Sequence, residues 1–406
     1  MPSGLVESPM DPDRPQSASL RLTSIDAYRG FVMLLMMAEV LDSWDVARAL
    51  PSSIFWHAVS LAQTHVEWVG CSLHDLIQPS FSFLVGVALP FSISNRMARG
   101  QSRAAVTAHA LWRSALLILL GVFLRSIGQA QTNWTFEDTL TQIGLGYPFL
   151  FLLGFSTPRV QWAAFAAITA GYWLAWAIYP LPGPLFDYAA CGVPADWLHN
   201  ATGFAAHWNK NCNLGAAFDR WFLNLFPRPT PFVANSGGYL TLSFIPTLGT
   251  MILGLVAGRW LLGPPSHLDR VRRLLVAGAV CLFAGVAIHS LGLCPIVKRI
   301  WTPTWVLFSG GWCFLLMACF YATVDWRGWK GWTFPLVVIG MNSIAAYCIA
   351  HLLWAFIVST LSTHFGPGFF DLFGKAVAPF CRGMLILVIY WLILLWMYRR
   401  RLFLRI

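Results

Sequence analysis

Ten separate stretches of mostly apolar residues run through this 406-residue chain, at about 25–46, 72–95, 104–126, 139–156, 160–181, 237–262, 271–293, 304–325, 333–359 and 380–399. Each is close to the roughly 20 residues that one helix needs to cross the hydrocarbon layer. A backbone in lipid must satisfy its own hydrogen bonds, so these runs dictate an all-α integral membrane protein, a bundle of about ten transmembrane helices. Composition agrees, because 57% hydrophobic residues against 11% charged ones leave too much apolar surface for a soluble core.

The net charge of +10 invites a nucleic-acid partner, but in a membrane protein basic residues are tested first for sidedness. An even number of spans puts both termini on one side, and the loops of that side carry 18 of the 27 basic residues, leaving 9 opposite. Both termini are therefore expected in the cytoplasm, and no nucleic acid is needed to explain the charge. Residues 1–20 are rich in Ser, Pro and Asp and lack an apolar core, which predicts a disordered cytoplasmic tail and no cleaved signal peptide. Residues 21–406 form one transmembrane domain without a dividing linker. The loop 182–236 is the one long connection and is expected outside. Its Trp197, Trp208 and Trp221 suit either an ordered cap that packs on sugar rings or an interfacial aromatic belt. Cys191 and Cys212 lie in that loop, where a disulfide could persist.

The polar residues at the membrane mouths carry the chemistry. In "THVEWVGCSLHDLIQPSFSFLVGVALPFS", Thr64 to Ser92, the pairs Ser72/Asp75 and Thr64/Glu67 have helix-capping spacing, and capping is the favoured reading of both acids. Glu39 and Asp42 share a face at the outer end of the first span. His65 has no cap or metal spacing to explain it and titrates near neutrality when unperturbed. His351 is an ionisable group inside the ninth span. On the cytoplasmic side Arg29, Arg96, Arg103 and Arg113 could grip phosphates, or serve only to hold the topology. No P-loop, zinc-protease, serine-hydrolase or paired-cysteine motif is present, and no metal is expected.

"RLTSIDAYRGFVMLLMM" (Arg21 to Met37), followed by "HVEWVGCSLHDLIQPSFSFLVGVALPFS", resembles the heparan-alpha-glucosaminide N-acetyltransferase family, with its pattern R-L-x-S-x-D-x-x-R-G and then H-x-x-W-x-G-x-x-x-x-D-L-x-x-P-x-F-x-F-x-x-G. "NCNLGAAFDR" from Asn211, "LGLVAG" from Leu253, "WTPTWVL" from Trp301 and "GMNS" from Gly340 extend the likeness over nearly the whole chain after residue 20. The resemblance implies a membrane acyltransferase that moves acetyl from cytosolic acetyl-CoA to an amino sugar or related glycan on the far side. His65 matches the family's catalytic histidine, as general base or as carrier of the acetyl group. For that reaction, Asp75 or Glu67 could orient the imidazole, and Glu39, Asp42 or Glu67 could hold the acceptor. Arg29, Arg96, Arg103 and Arg113 would meet the CoA phosphates, and Asn342 and Ser343 the thioester or pantetheine arm. A homodimer and a bacterial inner membrane follow by analogy.

Two departures fall on the acceptor side: Ala38-Glu39-Val40 stands where the family commonly has an Asn, and "NSGGYL" (Asn235 to Leu240) where it often has P-E-G. The competing class is a proton-coupled transporter that uses His65, Glu39 and His351 as a relay.

Overall fold

Why the ten apolar stretches do not become ten equal rods is visible in a computed structural model, which describes residues 21–366 and 368–404. The tail 1–20 lies outside the described residues. Helices are α1 (Thr23–Met37), α2 (Ser43–Ala49), α3 (Ile54–Gln63), α4 (Ile77–Ala98), α5 (Arg103–Arg125), α6 (Thr139–Gly154), α7 (Pro158–Ala177) and α8 (Leu214–Phe222). They continue with α9 (Phe244–Leu262), α10 (His267–Ser290), α11 (Pro303–Phe320), α12 (Phe334–Gly340), α13 (Ser343–Leu352), α14 (Trp354–Phe365) and α15 (Ala378–Arg399). No β-strand occurs among the described residues, only one isolated bridge between Val69 and Val297.

Each apolar stretch contains helix, although the first, 25–46, is interrupted at Asp42 (φ +48°), and six helices among the described residues are long and apolar enough to cross a membrane: His74–Ala98, Arg103–Arg125, Thr241–Leu262, His267–Ser290, Pro303–Trp326 and Ala378–Arg399. Helices α1, α6 and α7 occupy three more of the expected positions but are shorter or less apolar. The expected unbroken span at 333–359 is corrected: Gly331–Gly340 and Ser343–Leu352 meet at a 67° bend, and α14 follows separately.

The bend has a packing cause. Gly340 lies so close to α1 that a Cβ there would stand 2.0 Å from the Asp26 carbonyl oxygen, and one on Gly30 would stand 1.8 Å from that of Leu336. Small residues permit such close backbone contact between membrane helices. With α12 pinned to α1, Asn342 leaves helical geometry (φ −126°, ψ 39°). Its amide donates to the Leu402 carbonyl and accepts from the Leu404 amide, tying the C-terminal segment to the break. The new direction turns Ser343 and Tyr347 toward the bundle interior.

The loop 182–236 is folded. Asn213 caps α8 through the Ala216 amide, and Trp208 is buried while Trp221 is exposed. The Trp68 indole donates to the Trp208 carbonyl at 3.2 Å, so this loop is fastened over the loop that carries His65.

Candidate active site

His65 sits in the irregular stretch between α3 and α4, whose backbone pairs with another loop and forms no helix from Val66 to Ser72. The bridge between Val69 and Val297, with the Gly70 amide donating to the Ile296 carbonyl at 3.0 Å, lays this stretch along residues 296–298. Gly70 has φ +121°, a conformation that side-chain-bearing residues rarely adopt. That pairing delivers Lys298, 233 positions away in the chain, to His65.

Asp75 is the centre of the cluster. Its Oδ2 accepts from the amides of Val66 (3.2 Å) and Ser72 (3.0 Å) and from the Ser72 hydroxyl (3.0 Å), while Ser72 Oγ accepts from the Asp75 amide. The expected capping box is therefore formed. Its Oδ1 accepts from His65 Nδ1 at 2.8 Å and from Lys298 Nζ at 3.1 Å. Asp75 and Lys298 are both buried, with side chains 1% and 5% exposed.

The contacts decide the tautomer. Lys298 Nζ is also 3.1 Å from His65 Nδ1, but the shorter Asp75 contact needs a proton on Nδ1, since a carboxylate can only accept. Nε2 is then left as the free base. Burial holds the His65 pKa below its ordinary value; the Asp75 bond opposes this and the Lys298 charge adds to it. Burial also lowers Lys298, with Asp75 opposing. The result is an ion pair next to a neutral imidazole, the protonation state a base needs near pH 7.

Two cavities meet inside the bundle. One, of about 410 Å³, is bordered by Arg21, Arg29, Arg113, Ser343 and Met341. The other, of about 440 Å³, is bordered by His65, His74, Glu39, Glu137, Arg125 and Lys298. Thr139 and Tyr347 line both, so the two cavities lie on either side of these side chains. Along α1 and its 3₁₀ extension, Arg29 borders the first and Glu39 the second, and ten residues at 1.5 Å each separate them by about 15 Å.

The predicted residues divide accordingly. His65, Glu39 and, behind them, Asp75 belong to the second cavity. Arg29 and Arg113 border the first, and Arg113 also borders a smaller hollow of about 100 Å³ shared with Arg96. Arg103 instead lies over the Phe155 ring at 5.5 Å. Asp42 pairs with Arg382 at 3.0 Å, and Glu67 with His199 at 2.9 Å, so neither borders the cavities. The Thr64/Glu67 capping pair does not form, because Thr64 ends α3 and donates to the Ser60 carbonyl. Asn342 is engaged by the C-terminal segment, while Ser343 borders the first cavity. Cys191 and Cys212 are both free thiols, which corrects the disulfide expectation; the Cys191 carbonyl is held by Asn211 and its sulfur faces Arg220 at 3.8 Å. Among the described residues no cluster suited to a metal ion occurs.

Lys298, His74, Glu137, Arg21 and Arg125 were not foreseen. Lys298 had a usable signal, as a basic residue embedded in the apolar run "CPIVKRIW".

A helical membrane protein with a buried carboxylate, a lysine and a free imidazole nitrogen at the end of an internal passage has the makings of a membrane-embedded enzyme. The comparisons narrow the class. The chain is a distant homologue of the heparan-alpha-glucosaminide N-acetyltransferases: it is 24% identical to the mouse protein of that name over 378 residues, 83% of this chain and 54% of the mouse one. It is likewise 24% identical to the human protein over 371 residues, 80% of this chain and 52% of the other. The chain thus spans about half the length of the curated relatives it matches. No family model matches it. Neither relative is described as a transporter.

Proposed function

We propose that this chain is a membrane acetyltransferase that takes acetyl from acetyl-CoA at its arginine-lined end and passes it to an amino sugar or related glycan acceptor at the His65 end. The observation that carries this reading is the pair of neighbouring cavities that share Thr139 and Tyr347, with Arg21, Arg29 and Arg113 around one and His65 on the other. Arg29 and Arg113 suit the CoA phosphates, since guanidinium binds phosphate through paired hydrogen bonds. The pantetheine arm would run past Ser343 toward Thr139 and Tyr347, the side chains that both cavities share.

At the far end the acceptor's lone pair attacks the thioester carbon, and His65 Nε2 removes the proton that the acceptor sheds as the new bond forms. The C–S bond then breaks, and the sulfur leaves with the bonding electrons. The imidazolium returns its proton to that sulfur, which completes the cycle. Asp75 holds Nδ1–H, fixing the ring and stabilising its cation during the step, while Lys298 keeps Asp75 ionised.

Thermal unfolding of the purified protein with acetyl-CoA tests the donor half. A ligand at about 100 times its dissociation constant raises stability by roughly 2.7 kcal/mol. Arg113 donates to the Tyr147 hydroxyl at 3.3 Å and lies over the same ring at 4.8 Å, so Arg113→Gln removes the phosphate contact and, besides it, only contacts to Tyr147. Charged hydrogen bonds contribute about 1.5–3 kcal/mol, so the variant should need about tenfold or more acetyl-CoA for the same shift. A folded native protein that acetyl-CoA does not stabilise would remove the donor from the account.

A further inference from the structure

The cavity around His65 holds a second acid–base pair that the transfer step as written does not use. His74 Nε2 lies 2.8 Å from Glu39 Oε1, with the His74 side chain 6% exposed and that of Glu39 58% exposed. The rings of His65 and His74 are 4.6 Å apart. Both residues of the pair line the cavity, and so does Glu137, whose carboxylate has no ion pair among the described residues.

Proton balance gives this pair a task. A hydroxyl acceptor has one proton to lose, and His65 takes it. A primary amine near neutral pH arrives chiefly as R–NH₃⁺, which has no lone pair and must lose one proton before attack and a second during it. His65 accounts for the second only.

We propose that the Glu39–His74 pair is a second base, which takes the first proton from an amino acceptor that arrives as an ammonium ion. The inference rests on the transfer reaction proposed above. In full, R–NH₃⁺ gives one proton to the Glu39–His74 pair and becomes R–NH₂. The nitrogen lone pair forms the C–N bond, the C–S bond breaks, and its electrons leave on sulfur. The second N–H proton passes through His65 Nε2 to the thiolate. The products are the amide, free CoA thiol and one proton, which the exposed Glu39 releases to solvent. Glu39 and Glu137 are the two carboxylates that can face an ammonium group in this cavity, which Arg125 and Lys298 also border.

Other groups share this space and bear on any pH profile. His65 and Lys298 face Glu39 from the connecting loops, and His351 and Tyr347 face it from α13. Arg125, Glu137 and Tyr239 border the same cavity, with Asp75 behind His65 and Asp138 capping α6.

The test is the pH dependence of kcat/KM for acetyl transfer from acetyl-CoA to glucosamine, from pH 5.5 to 9, for the native protein and Glu39→Gln. An amine flanked by oxygens titrates near the α-amino range, about 7.7–8.0. The native profile should stay flat through that range and fall only where the enzyme's own bases protonate. Glu39→Gln should accept the free amine alone, so that its rate relative to the native protein falls about tenfold per pH unit below the amine's pKa, while thermal stabilisation by acetyl-CoA shows that the variant is folded. Parallel profiles, or a uniform loss at every pH, overturn the inference while leaving the transferase reading in place. A native protein that transfers nothing at any pH overturns the reading beneath it.

Discussion

Replacing His65 by Ala is expected to lower the transfer rate by about three orders of magnitude, within the range of about 10²–10⁴ that a positioned base contributes. Binding of acetyl-CoA should survive, because the arginines at the opposite end of the passage are untouched. Folding should survive as well: Asp75 keeps Lys298, the Ser72 hydroxyl and two backbone amides without the imidazole. The check is paired, with single-turnover acetyl transfer for the chemistry and acetyl-CoA-dependent thermal stabilisation for the binding. Turnover retained within tenfold would take His65 out of the base role.

The second large effect falls on stability. Asp75→Asn should cost about 3–5 kcal/mol, because it leaves the buried ammonium of Lys298 without its counter-charge. Lys298→Met alone should cost a comparable amount by stranding the carboxylate. The double variant removes both charges and should recover most of the loss, since replacing a buried ion pair with uncharged groups is often neutral. It should not recover transfer, because the imidazole then lacks the carboxylate that sets its tautomer. Unfolding of the two single variants and the double one in a thermodynamic cycle measures the coupling directly. Purely additive losses would mean that the pair is not the unit described here.

Asp75 also shows how much of the site could be read from sequence and where reading stops. Spacing pointed to a capping box with Ser72, and resemblance pointed to a partner for His65. Both hold because the two oxygens divide the work, Oδ2 to the cap and Oδ1 to the imidazole. Spacing could not supply Lys298, because only the antiparallel contact of residues 69–70 with 296–297 brings it across 233 positions. Nor does spacing single out His74, because its partner Glu39 comes from the 3₁₀ extension of α1, 35 residues earlier. The positions of the apolar helices were legible from hydropathy alone. The break at Met341–Asn342 was not, because no proline marks it and its cause is the backbone contact of Gly340 with α1. The arginines look alike in sequence, yet Arg29 and Arg113 border the passage while Arg103 packs on Phe155.

The central claim is that acetyl travels through the protein from one side of the membrane to the other. The direct measurement uses sealed proteoliposomes with acetyl-labelled CoA supplied only outside and glucosamine only inside, scored for labelled N-acetyl product in the lumen. The account predicts luminal product with the native chain and none with His65→Ala. Product formed only when both substrates share a compartment, or none at all from a protein that binds acetyl-CoA, would contradict it.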